Sequence, residues 1–484
     1  MRWNKDAAGR NAVPGLFRKN REKVFLAAYL VLYLVLTVTV ACLQPAANVP
    51  LHTNPPDEHA RILIPQYIYR TGTLPTGFEE EVRIPAYGFS YGIYNAAPYY
   101  LHGCAMRLAG LFTDAESTLI VAARMVNVFF GFLMAVIVYL IGKKVFSEDA
   151  PRWLFCTAVT FLPQNLFIHT YVNTDSCSML STALILYGLV CAYREGFHIK
   201  NCFLLGTGVA LCALSYYNAY GYILAAILLC TAYFFRKDGG KLRCDYKEML
   251  KKGLLISLIV FAAAGWYFIR SYLLYDGDFL GLATRRAMAV RYAIDSVNPD
   301  KALTYQKMGY TIGQMIKETR MLTVMYISFI GEYGSMFIVG SQWMYRFYKV
   351  FLAAGAIGIL YGLAARILRA LRKDRQNRAG FHKWFFHGNM LMCIVIPVVL
   401  LFYYAYTMDY QAQGRYMLPA LIPVMYYTVR GIQNLANLKA GKLFFPARLV
   451  NAGYAAAIML ILFFAAHMVF RQAVPLYLES GFVI

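Results

Sequence analysis

Runs of about twenty predominantly apolar residues recur along the whole chain, the length a helix needs to cross a bilayer core about 30 Å thick. Lipid offers no hydrogen-bond partner to a bare amide or carbonyl, so a spanning segment must be a helix or part of a closed barrel. The alternation that marks barrel strands is absent. The fold class expected is therefore all-α: a polytopic bundle of membrane helices. Composition agrees, since 59% of the 484 residues are hydrophobic, against roughly 45–50% in a soluble domain.

Charge orients the bundle. Lys and Arg number 47 against 25 Asp and Glu, a formal net charge of +22. In a soluble protein that excess would suggest nucleic acid. Here the positive-inside rule accounts for it, and no nucleic-acid partner is expected. Residues 1–23 read as a basic cytoplasmic amino-terminal segment. Spans are expected at 24–43, 119–142, 153–171, 175–193, 201–214, a sixth ending near 235, then 253–275, 345–365, 389–406, 415–429 and 450–470. That makes about eleven crossings, with the amino end inside and the carboxyl end outside. The basic stretches at 236–252 and 366–383 then fall inside. This register requires 97–112, apolar but broken by His102 and Arg107, to lie at the membrane interface as a helix rather than cross. Two long outer regions follow, 44–118 and 276–345. Residues 1–484 read as one polytopic unit of the cell membrane, with no internal repeat visible.

The ten cysteines are scattered, mostly within apolar runs, with no CxxC pair or Cys/His cluster. They read as small buried hydrophobes. His59, His102 and His169 all fall on the outer side without ligand spacing, so no metal site is assigned.

Residues 52–61, just beyond the first span, carry the adjacent carboxylates Asp57 and Glu58. Pro55 and Pro56 stiffen the approach to them. A rigid lead into two acids at a membrane surface suggests a positioned site; a polar loop is the plainer alternative. Asn173 and Asp175 follow the third span at the same face, where Asp175 either caps the next helix or serves a ligand. Asp409 to Pro419 lies between the ninth and tenth spans. Arg415 there stands at a helix start, where the dipole disfavours a cation. It needs a carboxylate such as Asp409 or Asp57, or a phosphate that its planar fork matches. Arg285, Arg286 and Arg291 lie outside, where few arginines are expected, and either attract an anionic headgroup or form a solvated face. Carboxylates beside arginines at a lipid boundary suit group transfer from a lipid phosphate. A carboxylate takes the acceptor proton, and an arginine neutralises charge on the departing phosphate.

Four motifs occur in order. They are Pro55-Pro56-Asp57-Glu58; Pro163-Gln164 with Val172-Asn173-Thr174-Asp175; Ser328-Phe329-Ile330-Gly331-Glu332-Tyr333-Gly334; and Gln413-Gly414-Arg415-Tyr416-Met417-Leu418-Pro419. Together they resemble bacterial members of the GT-C superfamily of integral-membrane glycosyltransferases, most closely a family of predicted membrane proteins with PPDE, VNxD and QGRYxLP motifs. That family usually has a histidine four residues after the aspartate; this chain has Arg61 there and His59 two residues after. The resemblance implies transfer of a sugar from a polyprenyl-phosphate donor to an envelope glycan, lipid or protein acceptor on the extracytoplasmic face, with inversion at the anomeric carbon. Asp57 is then the catalytic carboxylate, with Glu58 beside it. Asn173, Asp175, Arg415, Tyr416, Gln413, Arg61, His59 and Glu332 become substrate-binding candidates. Some superfamily members need a divalent cation, so one is a candidate cofactor without assigned ligands. The rival expectations are a transporter or flippase of a lipid-linked glycan, and a non-catalytic scaffold of an envelope complex.

Overall fold

The computed structural model describes residues 15–46, 53–94, 97–238, 241–371, 381–437 and 446–480. His52, the start of the acidic motif, lies outside them, as do parts of both ends of the chain and of the loop after residue 371. Among the described residues the fold is helical. Strand is confined to two short antiparallel hairpins, Phe235–Asp238 with Lys241–Cys244 and Glu332–Tyr333 with Ile338–Val339.

Seven of the described helices are long and apolar enough to cross a membrane: Asn20–Leu43, Glu116–Val145, Asp175–Glu195, Tyr246–Leu274, Gln342–Leu368, Trp384–Thr407 and Ala447–Glu479. At the other four expected spans the chain is helical, in pieces shorter than those seven. The expected 153–171 span is two helices, Asp149–Thr160 and Pro163–Ile168. Pro163 takes the first turn of the second piece, where its missing N–H costs nothing. The Asn165 amide donates to the Thr160 carbonyl at 3.3 Å across the break. Ile199–Ala213, Gly221–Tyr233 and Leu421–Ala436 hold 15, 13 and 16 residues, about 20–24 Å at 1.5 Å per residue. The last two are preceded by 3₁₀ turns, Tyr217–Ala219 and Gly414–Ala420.

Asp175–Glu195 is the central post of the bundle, with 83% of its apolar window buried, and Glu116–Val145 follows at 61%. Tyr246–Leu274 and Gln342–Leu368 are each buried over only 17% and present apolar flanks. Gly355 and Gly358 meet Gly431 so closely that a Cβ on any of them would strike backbone opposite. The Gln342–Leu371 and Leu421–Ala436 helices therefore pack main chain to main chain, the contact small residues permit between membrane helices.

The first loop region forms a cap over one end of the bundle. Its core is Ile62, Ile64, Ile68, Val82, Tyr99 and Met106, packed on Leu119, Ile120 and Ala123 at the start of the Glu116–Val145 helix. Ala97–Ala109 has 13 residues, about 20 Å, shorter than a bilayer core. It leaves Tyr100, Leu101 and Leu108 exposed, followed by Leu111 and Phe112.

Candidate active site

The four motifs come together at the capped end of the bundle. Asp57 begins the short helix Glu58–Arg61 with φ +61° and ψ 3°, a left-handed conformation unusual for a non-glycine residue. That turn places successive side chains on different partners. Asp57 Oδ2 accepts from Arg415 Nη2 at 2.8 Å. The Asp57 side chain is 34% exposed and that of Arg415 is 4% exposed, so one face of the carboxylate stays open. Burial pushes the Asp57 carboxyl up. The guanidinium groups of Arg415 and Arg61 more than offset this, and it stands below the usual carboxylate range.

Arg415 is positioned by its own segment. Gly414 donates its N–H to Ser328 Oγ at 2.7 Å, and a Cβ on Gly414 would collide with the Met325 carbonyl and the Phe329 amide. Glycine is thus required where the fourth motif lies against the third. Arg415 also donates to Tyr171 Oη at 3.3 Å and Tyr416 Oη at 3.1 Å, and its guanidinium lies 5.0 Å from the Tyr416 ring centre. Tyr416 donates to Gln411 Oε1 at 2.6 Å, and Gln411 donates to Asp409 at 2.7 Å. Of the two expected carboxylate partners for Arg415, the structure pairs it with Asp57.

Arg61 lies buried on the same side. It reaches Tyr99 Oη and Thr174 Oγ1, both at 3.4 Å, and stands 3.8 Å from Asp175 Oδ2 and 5.0 Å from the Tyr91 ring centre. Asp175 is buried, yet neither carboxylate oxygen has a hydrogen-bond partner. Asn173 does the capping instead: its Oδ1 accepts from the Ser176 N–H at 2.9 Å, while its amide donates to Ile168 and Tyr171 carbonyls at 2.8 Å. Asn173 is therefore part of the frame, and Asp175 is left facing inward with two unsatisfied acceptors. Gln413 Oε1, Arg61 Nε and Arg415 Nε are likewise buried without partners. Buried polar atoms are almost always paired in native proteins, so these groups hold bonding capacity that the protein itself does not use.

Glu58 points away from that place. Both oxygens engage Arg124, at 3.0 Å to Nε and 2.5 Å to Nη2, and Oε1 also accepts the Val172 N–H at 2.8 Å. Arg124 in turn donates to the carbonyls of Ala41, Gln44 and Pro45. One buried pair thus ties the end of the first long helix, the acidic turn, the second long helix and the Val172 segment together. Beside it, Asn127 Oδ1 accepts from His102 Nε2 at 3.0 Å, and the Asn127 amide donates to the Tyr171 and Asn173 carbonyls. Arg124 and Asn127 are not among the candidates that the sequence motifs supply. The available signal was an arginine within an apolar run, where an ionisable residue implies a buried partner.

His59 is exposed and borders a cavity of about 510 Å³ lined also by Glu58, Glu80, Glu81 and Glu116. Glu332 sits in the hairpin whose amide is held by Gln164 Oε1 at 2.8 Å. Burial raises its carboxyl to about 7. That hairpin touches the acidic motif through Ser335, which donates to the Asn54 carbonyl at 3.0 Å. Arg286 pairs with Asp300 at 2.9 Å on the surface, and Arg291 lies against Tyr292.

For a divalent cation the donor set does not fit. Among the described residues no three His, Cys, Asp or Glu side chains come together. Asp57 and Asp175 each face a guanidinium instead.

No protein-family model matches the chain, and no curated protein matches it by sequence. Solved structures do. ArnT from Cupriavidus metallidurans, bound to undecaprenyl phosphate, is similar with a TM-score of 0.51 and 12% identity, over 95% of this chain and 77% of that one. The oligosaccharyltransferase of Archaeoglobus fulgidus, tethered to an acceptor peptide with the NVT sequon, is similar with a TM-score of 0.50 and 16% identity. That match covers 93% of this chain and 55% of the other, so the chain spans about half the oligosaccharyltransferase's length. At such identities the likeness is one of fold: this chain shares the fold of these two membrane proteins.

Proposed function

We propose that the chain is an integral-membrane glycosyltransferase that moves a sugar from a polyprenyl-phosphate donor to an envelope glycan, lipid or protein acceptor on the extracytoplasmic face. One observation carries this: a partly open Asp57 held by a buried Arg415, beside a buried Asp175 whose oxygens face Arg61 at 3.8 Å but accept no hydrogen bond. An acid poised at an opening, a guanidinium beside it and unsatisfied acceptors behind suit transfer from a phosphate.

In the step, the acceptor hydroxyl oxygen bonds to the anomeric carbon and its proton goes to Asp57. The bond from that carbon to the phosphate oxygen breaks, and the electron pair leaves with the polyprenyl phosphate. Arg415 neutralises the leaving charge. Attack from the face opposite the phosphate inverts the carbon. The resting ion pair keeps Asp57 weakly basic. A donor phosphate drawing on Arg415 loosens that pair and raises the carboxylate's basicity, so the base is strengthened when donor is present. Asp175, Arg61 and Gln413 orient substrate hydroxyls, and Tyr416 holds Arg415. Glu58 serves as a positioning residue through Arg124.

Asp57→Asn tests the assignment. It should abolish transfer while the protein remains folded and inserted. Full transfer by that variant would refute it.

A further inference from the structure

We infer that Arg285 is a second residue for the donor phosphate, holding it in the ground state, whereas Arg415 acts on it as it departs. This rests on the transferase reading above.

The helix Leu282–Tyr292 in the second long loop region carries Arg285 against the first. Its guanidinium lies 5.2 Å from the ring centres of both Phe89 and Tyr94, and Nη1 donates to Tyr94 Oη at 3.3 Å. Tyr94 is 6.1 Å from Tyr91, whose ring lies 5.0 Å from the Arg61 guanidinium. A continuous aromatic wall thus joins Arg285 to the charge cluster.

Arg415 and Arg61 each face a carboxylate, and Arg286, next to Arg285, pairs with Asp300. Arg285 has no carboxylate within 4 Å among the described residues, whereas Asp409 accepts from Gln411. A partly buried guanidinium with aromatic faces around it and no counter-ion is built for an anion, and its planar fork suits phosphate. Phe279, Leu282, Tyr292 and Ile294 are exposed large apolar side chains, placed to meet acyl or prenyl chain beside the charge.

The test is binding to the full-length protein in nanodiscs, with a polyprenyl monophosphate as probe and inorganic phosphate and phosphatidylglycerol as comparisons. Wild type should bind the polyprenyl monophosphate in preference to both. Arg285→Gln should bind it at least about tenfold more weakly, the size of a lost charged hydrogen bond, and Arg415→Gln should lose less. Arg285→Lys, which keeps the charge and stem, should fall between wild type and Arg285→Gln, and carries the test if the glutamine variant does not insert. Undiminished binding by the Arg285 variants, or a larger loss in Arg415→Gln, overturns the assignment while leaving the transferase reading intact. Equal competition by either comparison overturns the lipid-linked donor as the ligand of Arg285. Failure of wild type to bind the probe overturns both.

Discussion

Asp57 occupies a backbone region that costs an ordinary L residue about 1–2 kcal/mol and that Asn and Asp tolerate best. The substitutions at this position therefore separate chemistry from fold. Asp57→Asn should keep near wild-type thermal stability in detergent and lose transfer. Asp57→Ala should lose transfer and about 1 kcal/mol of stability as well. The pair Glu58–Arg124 behaves differently, because both groups are buried and fully engaged. Removing one partner leaves a buried charge and should cost about 3–5 kcal/mol, whereas replacing both with well-packed apolar residues should recover much of that loss. Melting temperatures of Glu58→Leu, Arg124→Leu and the double variant check this. Glu332 supplies a pH signature. Its folded carboxyl is raised to about 7 from an ordinary 4.5 by desolvation, so the folded state holds the proton more tightly than the unfolded one. Its contribution is most favourable below 4.5 and declines as pH rises to about 7. Melting temperature should fall over that window, and Glu332→Gln should flatten the fall. Asp57, with a lowered carboxyl, has the opposite sign: its contribution is present above the ordinary carboxylate range and lost only in strong acid.

At the scale of elements, the site depends on where helices stop. Pro163 divides the expected third span, and Tyr333 uses the division: it donates to the Pro163 carbonyl at 2.9 Å and stacks on Phe167 at 4.4 Å between ring centres. The 3₁₀ stretch Gly414–Ala420 lies against the Met321–Ile330 helix at Gly414. Gly414→Ala should push that stretch away and carry Arg415 off Asp57. The expected result is a loss of about 1–3 kcal/mol in stability and a larger relative loss of transfer, read by comparing melting temperature with turnover. Asn173→Ala removes the cap of the Asp175–Glu195 helix and should cost about 1 kcal/mol. These stopping points explain what the sequence reading could and could not reach. Hydropathy places the helices because apolar length is local information. The identity of the capping residue is not local in that sense: Asn173 and Asp175 are both good caps, and the backbone around Thr174 decides between them. The partner of Glu58 lies 66 residues away, a pairing that propensity and spacing do not encode.

Over the whole molecule, the seven long helices, the shorter ones and the cap assemble segments distant in sequence around one small group of charges. The meeting of Asp57 with Arg415, and of Arg61 with Asp175, accords with the expectation that these segments share one membrane face. Arg124, which locks the cap to the bundle, was visible only as an arginine within an apolar run. The deep burial of Asp175–Glu195, beside the largely uncovered Tyr246–Leu274 and Gln342–Leu368, puts the charges near the bundle axis and leaves the flanks to lipid. A donor whose phosphate meets buried arginines while its prenyl chain remains in the bilayer fits that layout. The most direct measurement is mass spectrometry of envelope glycans and polyprenyl-phosphate sugars in cells whose copy of the gene is replaced by wild type or by Asp57→Asn. With the variant inserted at the wild-type level, one sugar should vanish from the envelope glycans and its polyprenyl-phosphate form should accumulate; an unchanged glycan profile with no accumulated donor would contradict the proposed transfer.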